Sequence, residues 1–436
     1  MQRRKNMKIY LQIVGNKIAA VYGESNTLYT EIVSAANIDE FYSKINKYAE
    51  LDEEVEEQVK VLFDNESTDK SISTYNIKHW VSNRSFGELI DMYQNNEIIK
   101  PDMQREFVWD SQKSSRLIES IVLGLPIPPL FLMEVGKNQY ELIDGFQRIT
   151  TVVNYVTGKP WVGEVEGKKS TPAKLSGDIT KELQGRTFEK LDSEHKRIIR
   201  RSTIPLIEFK QMDPDDLSSK YLIFERINTG SEKLNQMQIR KSLAHGSFIN
   251  SLYEQSNNCN KLINLFSVAA IKKDAHVEAF LRIYAMTEIV YRDANISKSG
   301  LNNILNAFCE SYRNKVLPDD YYDKVNNALL LMEQIFEDKK FMFKRVEKDE
   351  NGDYHYVGTK NISIMEALLG VAIENNLSVE SANIINIRYN YKTIMADIVK
   401  RAIEGKEENP FSTSTGTKNA IENRFKYAER ILGVIR

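Results

Sequence analysis

Apolar positions along the chain repeat first with a period near two, then with periods of three and four, and the change divides the molecule. Residues 8–14 and 17–21 read as two strands joined at Gly15-Asn16, a two-residue hairpin turn. Residues 28–33 add a third strand. Residues 38–47 and 51–63 read as helices, the second opening on Asp52, Glu53, Glu54, Glu56 and Glu57, acids that suit a helix N-terminus. Residues 65–74, rich in Ser, Thr and Asp, read as a linker. The first 74 residues are therefore expected to form a small accessory α+β region.

The next segment alternates strand and helix. Phe86, Leu89, Ile90 and Tyr93 lie on one side of a helix over 86–94, and Ile98-Ile99 opens an extended stretch that Pro101 keeps out of the helical region. Asp110 or Ser111 caps a helix carrying Leu117, Ile118, Ile121 and Val122, and Gly124 ends it. After Pro126, Pro128 and Pro129 come two strands, 130–135 and one with Tyr140, Leu142 and Ile143, turned at Gly136-Lys137-Asn138. Asp144-Gly145 then breaks into a helix with Ile149, Val152, Val153 and Val156 on one face. Residues 159–185 read as an irregular insertion, 188–201 as a helix and 204–209 as a strand. A helix from Asp213-Pro214, with Leu217, Tyr221, Leu222 and Phe224, ends at Asn228-Thr229-Gly230. From Gln236 onward helical spacing dominates, with one hairpin or loop at 341–360. The expected layout is an accessory region over 1–74, a pocket domain over 75–235 and a helical domain over 236–436.

Composition narrows the function. The chain has 436 residues and a formal net charge of −2, so any nucleic-acid surface must be a local patch. Cys259 and Cys309 are the only cysteines, which argues against a disulfide scaffold or zinc knuckle and fits a reducing compartment. Gln12, Gly15, Asn16 and Lys17 interrupt the first apolar run too early for a signal peptide, and no window reaches the apolar length of a membrane span. A cytoplasmic protein without a membrane partner is expected.

Chemistry concentrates at the Asp144-Gly145 turn. A strand entering a helix there leaves backbone N–H groups and the positive end of a helix dipole, which attract anions. Gln147 and Arg148 fall in the first turn with an amide and a guanidinium able to grip phosphate oxygens, and Thr150 and Thr151 add hydroxyls. Gln104-Arg105, after a Pro-fixed segment and anchored by Phe107, Val108 and Trp109, forms a second polar fork. An ordinary capped turn, and an Arg105 paired with Asp102 or Glu106, are the competing readings.

The blocks PDMQREFVW, LGLPIPPLFLMEV and ELIDGFQRITTV, with FERINTGSEKLNQMQIRKSL downstream, resemble the N-terminal domain of GmrSD-type restriction endonucleases across 86–245. That resemblance implies a bacterial protein whose pocket domain has the ParB/sulfiredoxin-like fold. The whole would be an α+β protein with a mostly α-helical domain after the pocket domain and a small N-terminal α+β extension. It also implies a site that binds and hydrolyses a nucleoside triphosphate, with Gln104, Arg105, Gly145, Gln147 and Arg148 as nucleotide-binding residues, to which the nearby hydroxyl of Thr150 is added from the reading of the turn itself. Asn228 and Thr229, in a turn rich in groups able to reach a ligand, join them. Arg105 and Arg148 would neutralise charge developing in phosphoryl transfer, and Asp144 would orient a water or a Mg²⁺ ion. Three positions depart from the family: Phe146 and Ser231 stand where Gln and Gly are usual, and Gln238 where an acid is common. The metal, if one is used, is therefore not identified by the sequence.

Lys196, Arg197, Arg200 and Arg201 form the densest basic set in the pocket domain and are the candidate DNA contacts; pairing with helix-end carbonyls and nearby acids is the alternative. GmrSD-type proteins often carry a separate His-centred nuclease domain. Here His79, His195, His245, His276 and His355 are scattered, and only His355, with Asp353 and Asn361, is a late candidate. The expectation is an NTP-hydrolysing protein that acts on or senses DNA in restriction or phage defence, with a partner protein as one source of nuclease activity. A non-catalytic, nucleotide-gated DNA- or protein-binding module is the second reading, and nuclease or nickase activity within the fold itself the third.

Overall fold

The computed structural model describes residues 8–14, 17–23, 33–35, 37–45, 59, 75–99, 109–161, 171–213, 218–227, 235–294, 300–413 and 415–434. The chain divides into two compact units, Ser73–Gly246 and a second one assembled from Met1–Ile72 with Ser247–Arg436. The protein is mixed α+β, as its patterning predicts.

The central unit is built in chain order from β1 (Asn76–Ser85), α1 (Phe86–Gln94), β2 (Ile98–Ile99), α2 (Ser111–Val122), β3 (Leu130–Gly136), β4 (Gln139–Asp144), α3 (Phe146–Thr157), α4 (Ser193–Arg201), β5 (Thr203–Asp213), α5 (Ser218–Ile227) and α6 (Gln236–Leu243). Its described strands form one sheet in the order β1-β5-β3-β4-β2. β3 and β4 are an antiparallel hairpin turned at Asn138, whose φ is +57°, while β3 runs parallel to β5 and β2 parallel to β4. Leu130, Leu132, Leu142, Ile204 and Leu206 line one face of the sheet and join Phe86, Leu89, Ile90, Ile118, Ile121, Ile149, Val152 and Val153 in a single apolar core. Asp110 caps α2, its side chain accepting from Lys113 N at 2.7 Å. Helices α3 and α4 both pack on α1 and α2.

Two regions differ from the sequence expectation. The helix expected over 188–201 is a 3-10 turn at Phe188–Lys190 followed by α4, because Asp192 accepts from His195 N and starts a new helix at Ser193. The polar segment before Phe86 is a strand, β1, paired antiparallel with β5 along its whole length. The irregular insertion supplies Ala173, Leu175, Ile179 and Leu183 to the core.

In the other unit, Lys8–Val14 and Lys17–Gly23 form the expected hairpin, with Val14 opposite Lys17, and Val33–Ala35 adds a third strand. The helix Ile38–Ile45 belongs to this unit through Asp39, a buried carboxylate that accepts from Asn409 Nδ2 at 2.9 Å and Ser412 Oγ at 2.7 Å. Helices fill the remainder, interrupted by the hairpin Arg345–Lys348 with Tyr354–Val357 expected within 341–360. Glu366, fully buried, takes Arg282 Nε at 2.6 Å and the guanidinium of Arg424, tying three helices together. No helix among the described residues is long and apolar enough to cross a membrane. The 51–63 helix apart from Val59, the 65–74 linker, the start of the third strand at 28–32, and Leu217 lie outside the described residues.

Candidate functional site

Strand β4 ends at Asp144, and Gly145 turns the chain with φ +106° and ψ +11° before α3 begins. An L side chain is disfavoured there by the backbone, and one would also force the Leu130 side chain to move. A Cβ on Gly145 would lie 2.1 Å from Leu130 Cδ2 and 3.2 Å from Arg148 Nη2. Glycine therefore lets the start of α3 approach β3 closely. No side chain among the described residues caps α3, so the positive end of its dipole is left for another group.

Arg148 folds back over this turn. Its Nη2 donates to Asp144 Oδ2 at 2.7 Å and to the Pro129 carbonyl at 3.1 Å, while its Nε is buried without a partner among the described residues. The side chains are 17% and 31% exposed for Arg148 and Asp144, so the pair is reachable from solvent and only partly screened by it. A buried guanidinium N–H without an acceptor costs free energy that an added anion oxygen would relieve. Gln147 Oε1 accepts from Trp109 N at 3.4 Å, which links the end of the PDMQREFVW block to the first turn of α3. Thr150 is buried beside Tyr93, whose phenol pKa is raised by burial and lowered in part by the Thr150 hydroxyl. Phe146, 9% exposed, packs in the core.

The structure thus brings Asp144, Gly145, Gln147, Arg148 and Thr150 to one helix start. Gln104, Arg105, Asn228, Thr229 and Ser231 lie outside the described residues. Two contacts were not anticipated. The Pro129 carbonyl orients Arg148 through backbone alone, which leaves no side-chain signal in the sequence. On β4, Glu141 forms an ion pair at 3.1 Å with Lys220, a wholly buried lysine on α5 that also donates to the Leu243 carbonyl at 3.2 Å. A lysine within the apolar run Tyr221, Leu222, Phe224 was the available clue.

The basic set on α4 is split. Lys196 Nζ donates to the Glu189 carbonyl at 2.7 Å, and Arg197 lies 4.0 Å from Glu194. Arg200 and Arg201 are exposed and have no side-chain partner among the described residues. His355 pairs with Asp349 at 2.9 Å on the hairpin of the other unit, and no group of three or more His, Cys, Asp and Glu placed to hold a metal occurs among the described residues.

No curated protein and no solved structure matches the chain. Residues 86–245, from the first residue of α1 to just past α6, match the family model of the GmrSD restriction endonuclease N-terminal domain. The match lies within the central unit, which is similar to that domain, and it includes the Asp144–Arg148 turn.

Proposed function

We propose that this is a restriction or phage-defence protein whose Asp144–Arg148 turn binds the phosphates of a nucleoside triphosphate and hydrolyses it in the course of acting on or sensing DNA. The observation that carries the reading is the buried Nε of Arg148, partnerless among the described residues, beside a helix start that none of their side chains caps. The Nε lacks an acceptor and the helix start lacks a cap, and the oxygens of a phosphate group would supply both. Asp144 stands next to them with an accessible carboxylate. Mg²⁺ held through Asp144 and the substrate phosphates would suit an ion that keeps several of its waters and needs few protein ligands. Arg105, Gln104, Asn228 and Thr229 are proposed as further phosphate and nucleotide contacts, and Arg200 and Arg201 as the DNA contacts. A nucleotide panel by calorimetry with Mg²⁺, followed by phosphate release with and without DNA, tests the reading. Binding without release would reduce the site to a sensor, and no binding would remove it.

A second reading has an observation in its favour. Arg148 is already neutralised by Asp144, so a phosphate must compete with that carboxylate, and exchange of partners is itself a two-state switch. On this reading the site gates DNA or protein binding without turnover, and a partner protein supplies any nuclease activity. Nicking of supercoiled DNA by the purified chain would separate intrinsic cleavage from both.

A further inference from the structure

β1 is ten residues long and lies at the edge of the sheet, with β5 on one side and no strand on the other among the described residues. It precedes residue 86 and so falls outside the matched family domain. Natural edge strands of this length are usually shortened, covered or charged along their length, because an open row of N–H and C=O groups recruits another strand. In β1 the charged side chains, Lys78 and Arg84, sit toward the two ends, and the centre His79-Trp80-Val81-Ser82-Asn83 carries no carboxylate, lysine or arginine. Val81 is 67% exposed and Trp80 37%, on opposite faces of the strand. The Trp80 ring is held in place because its Nε1 donates to Glu208, a buried carboxylate on β5 that also accepts from Ser82 Oγ at 3.2 Å. The edge is therefore long, with one exposed apolar residue on each face of its centre and the Trp80 ring tied to Glu208.

We propose that this edge pairs antiparallel with the same edge of a second copy of the chain, about a two-fold axis through Trp80, making one sheet continuous across both copies. Such an axis stands perpendicular to the sheet and keeps each residue on its own face, so it must pass through a residue. Centred on Val81, the pairing sets Lys78 against Arg84 of the other copy, a like-charge contact. Centred on Trp80, it sets Lys78 against Ser82, His79 against Val81 and Asn76 against Arg84, and brings the two Trp80 residues together. No like charges oppose each other in that register, and an aromatic pair lies at its centre. A single strand pair buries little surface, so the dimer is reversible and concentration-dependent.

Light scattering on the full chain over a dilution series should show a monomer–dimer equilibrium. Val81→Lys should shift it to monomer with an unchanged melting temperature, since Val81 is largely exposed and the charge falls on the edge. The double variant His79→Cys with Val81→Cys should cross-link two chains under mild oxidation, because those positions face each other in the Trp80-centred register. Val81→Cys alone should not, and the native Cys259 and Cys309 are buried. A monomer at every concentration, or a dimer that survives Val81→Lys and does not cross-link, overturns the proposal.

Discussion

Arg148 Nη2 lies 2.7 Å from Asp144 Oδ2, one helical turn apart across the Gly145 break. The same guanidinium that would grip a phosphate is held in readiness by a carboxylate. Arg148→Ala should lose about 1.5–3 kcal/mol of nucleotide affinity, the range for a charge-assisted hydrogen bond, with the fold retained. Asp144→Asn should act in the opposite sense on binding, freeing Arg148, while turnover falls. Calorimetry and phosphate release on the two variants read these outcomes, and equal affinity in both would remove the phosphate role.

Gly145→Ala should destabilise the protein by about 2–4 kcal/mol, the sum of a left-handed backbone and an overpacked contact. Leu130 is the side chain in the way, so Gly145→Ala with Leu130→Ala should recover part of the steric cost and none of the backbone cost. Denaturant unfolding of the single and double variants separates the two.

Phe146 is packed in the core, at a position where the resemblance implies an amide instead. Phe146→Gln should cost about 1–3 kcal/mol through lost apolar burial and an unsatisfied amide, and leave nucleotide selectivity preserved or sharpened. A fall in affinity across the whole nucleotide panel would argue that the ring itself shapes the site.

Arg200→Ala with Arg201→Ala should weaken DNA binding evenly across sequences and reduce the salt slope by about 0.9 for each phosphate no longer neutralised. Melting temperature and nucleotide affinity should hardly move. Lys196→Ala should instead cost stability, because its ammonium serves the Glu189 carbonyl. Fluorescence anisotropy over a salt series, set beside thermal melts, distinguishes the two cases.

Burial raises the Asp39 pKa above its ordinary value of 3.8, against the opposing influence of Arg345, Ser412 and Asn409. A carboxyl that holds its proton more tightly when folded stabilises the fold below the unfolded pKa, and that stability is lost as pH rises through the folded pKa. The stability of the wild type relative to Asp39→Asn should therefore fall as pH climbs above about 3.8. Paired pH-stability curves check this, and a difference that rises with pH would contradict it.

Periodicity carried most of the fold. The apolar spacing of Ile149, Val152, Val153 and Val156 and the cap at Asp110 mark α3 and α2 closely. β1 escaped because an exposed edge strand need not alternate, and its polar string matches neither period. Spacing over 188–201 overstates the helix because Phe188 is apolar at helical spacing, whereas Asp192 decides where α4 starts. The turn at Gly145 and the place of Arg148 in the first turn of α3 were legible from residue type. The Pro129 carbonyl and the Glu141–Lys220 pair were not, since both depend on which backbone faces which strand.

Asp39 near the N-terminus finds its partners in Asn409 and Ser412, near the other end of the chain. The central unit, Ser73–Gly246, is consequently an insertion into the other unit along the chain. During synthesis it can complete its sheet while the first segment still lacks the helices it will join. Ribosome-bound chains arrested far enough beyond Gly246 for the whole central unit to have left the exit tunnel should then show protease resistance in that unit and cleavage before it. The carboxyl of Asp39 would acquire its buried setting only as the last helices emerge.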